Sequence, residues 1–274
     1  MTIGSKVSIK ASAIDAFVGQ VGVIEGKAPN GNNTTIYKVR VGSMILPGWF
    51  GEDDLELQPR TFTTLIFDLD GTLTDSGEGI MRCAQYALDK MGVHVEDYTK
   101  LRPFVGPPLE DSFKNLFNFS DELAAQAVSF DRDRYFTKGV YEQRLYSGTE
   151  ETLACLKQNG YRLAIGTSKT IKQTHYVLDY LGIRKYFDFI GARDEEGHLH
   201  TKADVINTLL TLMNMSYNKS ECVMIGDRCF DIDGASQVGI QSIGVLWGYG
   251  DEEELRKANA NYIVEDFKKL CSIL

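Results

Sequence analysis

The sequence predicts an α/β fold with a mainly parallel, doubly wound sheet, a helical insertion, and a small all-β unit in front. Three patterns support this prediction. Strand and helix signals alternate from Gly148 onward, which is typical of parallel strands joined by right-handed crossovers. Apolar residues recur at helical spacing between Gly77 and Tyr146, and short β-rich runs separated by turns occupy Val7 to Leu57. We therefore expect three structural units.

The N-terminal unit, residues 1–59, is predicted to be all-β with about five strands. Its spacing of strands and glycines resembles that of SH3-like small barrels, which implies a fold but no activity. Ala28 to Asn33 is expected to be a turn. The aromatic pair Trp49-Phe50 favours barrel core, with a peptide-binding platform as the alternative. Gln58-Pro59-Arg60 is the expected linker, because proline ends the preceding strand.

Composition restricts the classes of partner. The 274 residues are 43% hydrophobic and 24% charged, with a net charge of -9, which argues against broad binding to nucleic acid or anionic membranes. The N-terminal segment lacks the basic start and apolar run of a signal peptide, and no stretch is long enough to span a bilayer. We expect a cytoplasmic protein without nucleic-acid or membrane partners. The five scattered cysteines are expected to be reduced thiols.

Residues 80–146 are predicted to form a helical cap over the strand ends. Helical spacing connects Ile80 to Met91 and Leu109 to Phe117, and two further helices are expected at Asp121 to Val128 and Asp131 to Lys138. Glycines on both sides, in Ser76 to Gly79 and Tyr146 to Gly148, are the expected hinges. The remaining residues, 60–79 and 147–274, form the predicted core.

The core contains strands whose carboxyl ends carry polar residues. Ligands of parallel α/β sheets bind beyond these ends. The run Thr64 to Phe67 leads to Asp68 and Asp70, the run Leu163 to Gly166 leads to Thr167-Ser168-Lys169, and the run Cys222 to Ile225 leads to Asp227 and Asp231. Thr201-Lys202 begins a helix between them. Carboxylates, a hydroxyl and a lysine at one edge suit Mg²⁺ and a phosphoryl group.

Taken in order, these matches resemble the motifs of the haloacid dehalogenase superfamily, whose fold is Rossmann-like. The matching residues are D-L-D-G-T at Asp68 to Thr72, Thr167, Lys202, and G-D-x-x-x-D at Gly226 to Asp231. The resemblance covers Phe62 to the C-terminus. It implies that Asp68 is the nucleophile and that Asp70 is the general acid and base.

The same resemblance implies the ligands of the site. Mg²⁺ is expected on Asp68, on the backbone carbonyl of Asp70 and on Asp227, with Asp231 in a supporting place. Thr167 and Lys202 are expected to bind the phosphoryl group, and Ser168, which follows Thr167 at the same strand end, is expected to bind it with them. The second aspartate, Asp70, favours a phosphatase over a dehalogenase, and the D-L-D-G-T string differs from the D-K-T-G-T of ion-pumping ATPases.

A closer subgroup is suggested by longer stretches of sequence. The segment Leu101 to Phe113 and the segments around Thr167 and Asp227 look like phosphoglycolate phosphatase-like and bacterial 5'-nucleotidase-like enzymes. Substrate choice is expected to lie in the cap, with Arg82, Arg102, Lys114 and the turn Gly106-Pro107-Pro108 as candidates.

The sequence therefore predicts a Mg²⁺-dependent phosphatase acting on a small phosphomonoester, either a nucleoside 5'-monophosphate or a phosphoglycolate-like compound. A sugar phosphomutase of the same fold is the alternative within enzymes. The alternative from another class is a partner-binding or regulatory protein that uses the N-terminal unit, which is also the expected place of a homodimer or protein contact.

Overall fold

The N-terminal part of the protein is a sheet of five antiparallel strands in the order β4-β3-β2-β1-β5. In the computed structural model the described residues are 6–10, 17–18, 20–30, 34–41, 44–57, 62–194 and 199–274. The linker expected at Gln58 to Arg60, with the domain boundary at residues 59–60, lies outside them. The strands are β1 (Lys6–Ile9), β2 (Val21–Asn30), β3 (Thr34–Val41), β4 (Met44–Ile45) and β5 (Leu55–Leu57).

The predicted all-β character of this part is therefore observed, while the SH3-like barrel stays a prediction. The turn expected from Ala28 is wrong for its first three residues, because β2 continues to Asn30 and pairs there with β3. Pro29 fits because, among the described residues, this end of β2 pairs with β3 alone, so the missing N–H of Pro29 interrupts no second ladder. Phe50 is core, whereas Trp49 is half exposed.

The rest of the chain alternates strands and helices around a second, parallel sheet. Its first elements are β6 (Thr64–Phe67), β7 (Thr74–Asp75), α1 (Gly77–Lys90), α2 (Leu109–Phe117), α3 (Asp121–Tyr135), β8 (Arg144–Leu145), α4 (Thr149–Gln158) and β9 (Arg162–Thr170). They are followed by α5 (Ile171–Tyr180), β10 (Phe189–Arg193), α6 (Lys202–Leu212), β11 (Cys222–Gly226), α7 (Cys229–Val238), β12 (Gln241–Val245), α8 (Glu252–Lys257), β13 (Tyr262–Val264) and α9 (Phe267–Ile273).

The parallel sheet has six strands in the order β10-β9-β6-β11-β12-β13, which confirms the predicted Rossmann-like architecture. All four residues of β6 are buried. Leu65 and Phe67 pack into the apolar cluster on one face, and Ile66 packs into the cluster on the other. This is why the strand is apolar throughout instead of alternating with polar residues. Helix α9 has no counterpart among the predicted elements.

Helices α1, α2 and α3 form the cap together with a 3-10 turn at Tyr98–Phe104. Their apolar faces meet in a separate cluster in which the rings of Phe104 and Phe113 lie 4.9 Å apart. The two helices expected at Asp121 to Val128 and Asp131 to Lys138 are one helix, α3, which ends at Tyr135. The two residues between the predicted pieces, Ser129 and Phe130, include neither glycine nor proline and do not interrupt it.

A short antiparallel ladder connects the cap to the core. Strand β7 leads into the cap and β8 leads out of it, with Thr74 opposite Leu145 and Asp75 opposite Arg144. The side chains of the second pair also interact, because the Arg144 guanidinium forms an ion pair of 2.8 Å with the Asp75 carboxylate. We call this ladder the neck; the predicted hinges follow β7 and β8 directly.

Among the described helices, none has the length and apolar character needed to cross a bilayer. The cytoplasmic location stays a prediction.

Candidate active site

The carboxyl ends of β6, β9 and β11 are neighbours in the sheet, and the predicted site residues follow them. Asp68 stands directly after β6, and its backbone N–H donates to the Ile225 carbonyl of β11 at 2.9 Å. Its carboxylate is buried and lies 2.7 Å from the Lys202 ammonium. The two strand ends are thereby held in register, and the Asp68 carboxylate is aimed at the sheet edge.

Lys202 is placed by the start of helix α6. Thr201 caps this helix by accepting a hydrogen bond from the Asp204 amide. The Lys202 ammonium donates to Asp68 at 2.7 Å and to the Gly166 carbonyl at 3.0 Å, and it lies 2.8 Å from Asp231. Burial opposes its charge, but the carboxylates of Asp231 and Asp68 outweigh burial and raise the pKa of Lys202.

Three buried carboxylates converge beside this lysine. Oxygen atoms of Asp68, Asp227 and Asp231 lie within 4.8 Å of one another. Burial raises the pKa of Asp68 to about 7, where Lys202 opposes the rise and Asp231 adds to it. Burial and then the carboxylates of Asp231 and Asp68 raise the pKa of Asp227 to about 8. Three carboxylates and one ammonium leave excess negative charge, so this acid cluster fits a divalent cation with oxygen ligands.

The loop after β6 and the loop after β12 fix Asp227 in the acid cluster. The Tyr249 amide donates to one carboxylate oxygen at 2.8 Å, and the Thr72 hydroxyl donates to the other at 3.2 Å. Gly71 has a φ of +88°, and a Cβ there would lie 2.2 Å from the Asp227 carboxylate. Glycine is therefore required at this position for two reasons, backbone conformation and space.

Asp70 points away from the acid cluster to a different lysine. Its carboxylate accepts a hydrogen bond from the Lys169 ammonium at 2.7 Å. The ring of Tyr135, from cap helix α3, lies 5.1 Å from the same ammonium. The carboxylates of Asp68 and Asp70 thus have separate cationic partners, although the residues are two apart in sequence. Lys169 was not among the predicted site residues; its position directly after Thr167-Ser168 was the available signal.

The predicted phosphate-binding residues lie at the end of β9. Thr167 is buried and its hydroxyl accepts a hydrogen bond from the Lys169 amide at 3.3 Å. Thr167 and Ser168 line the same cavity as Asp68 and Asp70. All seven predicted residues therefore lie at one edge of the sheet: Asp68, Asp70, Thr167, Ser168, Lys202, Asp227 and Asp231.

This cavity, which we call the cap cavity, lies between the strand ends and the cap and has a volume of about 70 Å³. The turn Gly106 to Pro108, a candidate for substrate choice, lines this cavity, and its role in specificity stays a prediction. Arg82 and Lys114 do not line it; they pair at the surface with Glu78 and Asp121, respectively.

The third predicted basic residue, Arg102, contacts the core instead of the cavity. Its guanidinium lies 5.5 Å from the Tyr249 ring and donates to the Tyr249 carbonyl. Arg228, next to Asp227, donates to the Val105 carbonyl of the cap. Neither contact was predicted, because each depends on how the cap sits on the core.

These features define an α/β enzyme whose acidic, lysine-bearing sheet edge suits phosphoryl groups, and comparison with known proteins identifies its family. Residues 65–245 match the model of the haloacid dehalogenase-like hydrolases. A 5'-nucleotidase of Pseudomonas aeruginosa is 35% identical over 213 residues, or 78% of this chain and 96% of that protein. The tyrosine-protein kinase PtkA of Mycobacterium tuberculosis is 33% identical over 199 residues, or 73% of this chain and 67% of that protein.

A solved structure gives the same result. The crystal structure of a predicted phosphatase from Clostridium acetobutylicum superimposes with a TM-score of 0.74 at 41% identity, covering 77% of this chain and 96% of that one. The chain belongs to the haloacid dehalogenase-like hydrolase family. The predicted enzyme class, a phosphoric monoester hydrolase, is confirmed by these relatives.

Proposed function

We propose that the protein is a Mg²⁺-dependent phosphatase that hydrolyses a small phosphomonoester through an aspartyl-phosphate intermediate. One observation supports this proposal: Asp68 and Asp70 follow the same strand, but their carboxylates lie in different surroundings. Asp68 lies in the acid cluster beside Lys202, and Asp70 lies outside the cluster beside Lys169. Nucleophilic attack and proton transfer need two carboxylates in such unequal environments.

In the first step a carboxylate oxygen of Asp68 bonds to phosphorus, and the bond between phosphorus and the leaving oxygen breaks. Asp70 gives a proton to that oxygen, so the leaving group departs as a neutral alcohol. In the second step Asp70 takes a proton from water, whose oxygen attacks the aspartyl-phosphate. Inorganic phosphate leaves and Asp68 is restored. Lys169, at 2.7 Å, orients the Asp70 carboxylate for both transfers.

Asp68, Asp227 and the backbone carbonyl of Asp70 would hold Mg²⁺, and Asp231 would support the site by fixing Lys202 at 2.8 Å. When bound, the ion neutralises phosphate charge that would otherwise repel Asp68. Thr167, Ser168 and Lys202 would bind the oxygens of the transferring phosphoryl group. Lys202 is already fixed by three oxygen partners, so it needs little reorganisation to act.

Nucleoside 5'-monophosphates and phosphoglycolate-like compounds are the proposed substrate classes. The relative named 5'-nucleotidase supports the first, the relative named phosphoglycolate phosphatase supports the second, and the resemblance of the cap segment is to both kinds of enzyme.

The test is replacement of the nucleophile. Asp68→Asn should abolish phosphate release while leaving the circular dichroism spectrum unchanged, because amide nitrogen and oxygen are far weaker nucleophiles toward phosphorus than carboxylate. Asp179→Asn, an exposed aspartate on α5, is the matched control and should retain activity. Removal of Mg²⁺ by chelation should stop turnover reversibly. Phosphate release by the Asp68 variant at the wild-type rate would overturn the mechanism.

The enzyme alternative from the sequence, a phosphomutase, would move phosphate between positions of one sugar without releasing it. An activity like that named for the relative PtkA would transfer phosphate to a second molecule. Measuring released phosphate against total substrate consumed separates both from a phosphatase.

A partner or homodimer contact through the N-terminal sheet is a second proposal, supported by one observation. Met44 and Ile45 of β4 and the nearby Trp49 are each about half exposed, and apolar groups of this size at an edge strand favour association. Light scattering on the full chain and on Trp49→Ala tests it: an equal, monomeric mass for both would exclude a homodimer.

A further inference from the structure

The cap cavity contains a carboxylate that the proposed mechanism does not use. Asp131 of helix α3 is 2% exposed and lines the cavity together with Asp70 and Lys169. Its Oδ2 atom is buried and has no hydrogen-bond partner within the described part of the chain. A buried carboxylate oxygen without a donor is costly unless something else supplies one. The cavity itself is the available source of that donor.

The position of Asp131 relates it to the leaving group. Asp70 must reach the leaving oxygen, so the leaving group extends from phosphorus toward the side of the site where Asp70 lies. The cap cavity is on that side, and Asp131 belongs to its cap wall. Asp131 therefore faces the part of the substrate that differs from one phosphomonoester to the next.

Charge restricts what this part can be. The cavity wall carries charges of both signs. A carboxylate in the leaving group would meet Asp131 and Glu110, and an ammonium would meet Lys169, Arg132 and Arg193.

A hydroxyl is neutral, so neither set of charges on the cavity wall repels it. It can donate a hydrogen bond to Asp131, and its lone pairs can accept one from the buried Nε of Arg193, which also lacks a partner among the described residues. We infer that the cap cavity receives a leaving group carrying a hydroxyl that donates to Asp131, an inference that rests on the proposed phosphatase function. The substrate class is then a phosphorylated polyol, which includes nucleoside 5'-monophosphates through their ribose hydroxyls and leaves out the phosphoglycolate-like alternative.

Four phosphomonoesters of similar size test this inference. Glycerol 1-phosphate carries the hydroxyls, propyl phosphate lacks them, phosphoglycolate carries a carboxylate, and ethanolamine phosphate carries an ammonium. The wild-type kcat/KM for glycerol 1-phosphate should exceed that for each of the others by about tenfold or more, because a site built to bind a hydroxyl loses its partner when the hydroxyl is absent. The assay is run at about pH 8.5, where ionised carboxylates prevail.

The variant Asp131→Asn separates a substrate contact from a structural role. It should lower kcat/KM for glycerol 1-phosphate about tenfold more than kcat/KM for propyl phosphate, and it should raise kcat/KM for phosphoglycolate relative to propyl phosphate. Retained turnover of propyl phosphate shows that the variant is folded. Asp133→Asn, exposed and two residues away on α3, is the matched control and should keep the wild-type preference.

The outcomes also separate this inference from the proposed function. Phosphate release without preference for glycerol 1-phosphate, or a preference that survives in Asp131→Asn, overturns the inference and leaves the phosphatase intact. A preference for ethanolamine phosphate overturns the assignment of a hydroxyl. If no phosphomonoester, including nucleoside monophosphates, releases phosphate, the proposed function fails and the inference fails with it.

Discussion

Replacing Asp131 by asparagine should stabilise the protein, and the gain should depend on pH. Burial raises the pKa of Asp131 from its ordinary value of 3.8 to about 7, and the nearby charges of Lys169 and Arg132 only partly offset the rise. Each pKa unit is worth about 1.4 kcal/mol, so this rise corresponds to about 4 kcal/mol at most. That free energy is the cost of keeping the carboxylate ionised inside the folded cap.

The direction of the pH dependence follows from the two pKa values. Between about pH 4 and 7 the folded state holds a proton on Asp131 that the unfolded state has lost, so stability falls as pH rises through this window. The free-energy cost of the ionised Asp131 carboxylate is present in full above about pH 7 and absent below about pH 4. Asparagine carries no such charge. The variant should therefore match the wild type near pH 4 and exceed it by up to about 4 kcal/mol at pH 8.

Urea unfolding followed by circular dichroism at a series of pH values measures this difference. The slope of the difference should approach about 1.4 kcal/mol per pH unit inside the window. Asp133→Asn, whose carboxylate is exposed, should show no comparable slope. A difference that is the same at pH 4 and pH 8, or an asparagine variant less stable than the wild type at pH 8, would refute the reasoning, because either result means that the folded protein already satisfies the ionised carboxylate.

Three further predictions concern the strand ends and the cap. Gly71→Ala should reduce Mg²⁺ affinity at least tenfold in calorimetry, because its Cβ would lie 2.2 Å from the Asp227 carboxylate; unchanged affinity would show that Asp227 is not a ligand. Lys169→Met should lower kcat more than it raises KM, because it removes the 2.7 Å partner of Asp70; an effect on KM alone would exclude a positioning role. Arg228→Ala should lower kcat/KM by roughly tenfold through the lost hydrogen bond to the cap, and wild-type kinetics would argue that this contact is incidental.

The positions of the site residues could be predicted because the sequence shows where the strands end. Apolar runs end at Phe67 and Ile225, and the rule that ligands lie beyond the carboxyl ends of parallel strands brings Asp68 and Asp227 to one edge. The helix start at Thr201 was readable for a similar reason, because threonine three residues before an aspartate is a capping signal. These signals are local, so no knowledge of packing was needed.

The side chains that contact these residues could not be predicted in the same way. Lys169 reaches Asp70 only because β9 lies beside β6 and continues past Gly166, which is a property of the assembled sheet. Asp131 lies in the sequence Phe-Asp-Arg-Asp-Arg, whose charges suggest a solvated face. Packing of α3 against α1 and α2 removes Asp131 from water. Which residues of a cap face the substrate is determined by such tertiary contacts more than by sequence motifs.

The neck has a consequence for how such a protein can change over generations. Because β7 and β8 are paired, the chain leaves the core and returns to it at adjacent points. The segment between Asp75 and Arg144 therefore starts and ends at one place on the core, whatever its length. A cap of different size could replace this one at the same two crossings without shifting Asp68 or Asp227. The choice of substrate can thus change while the strand ends that carry these two residues stay in place.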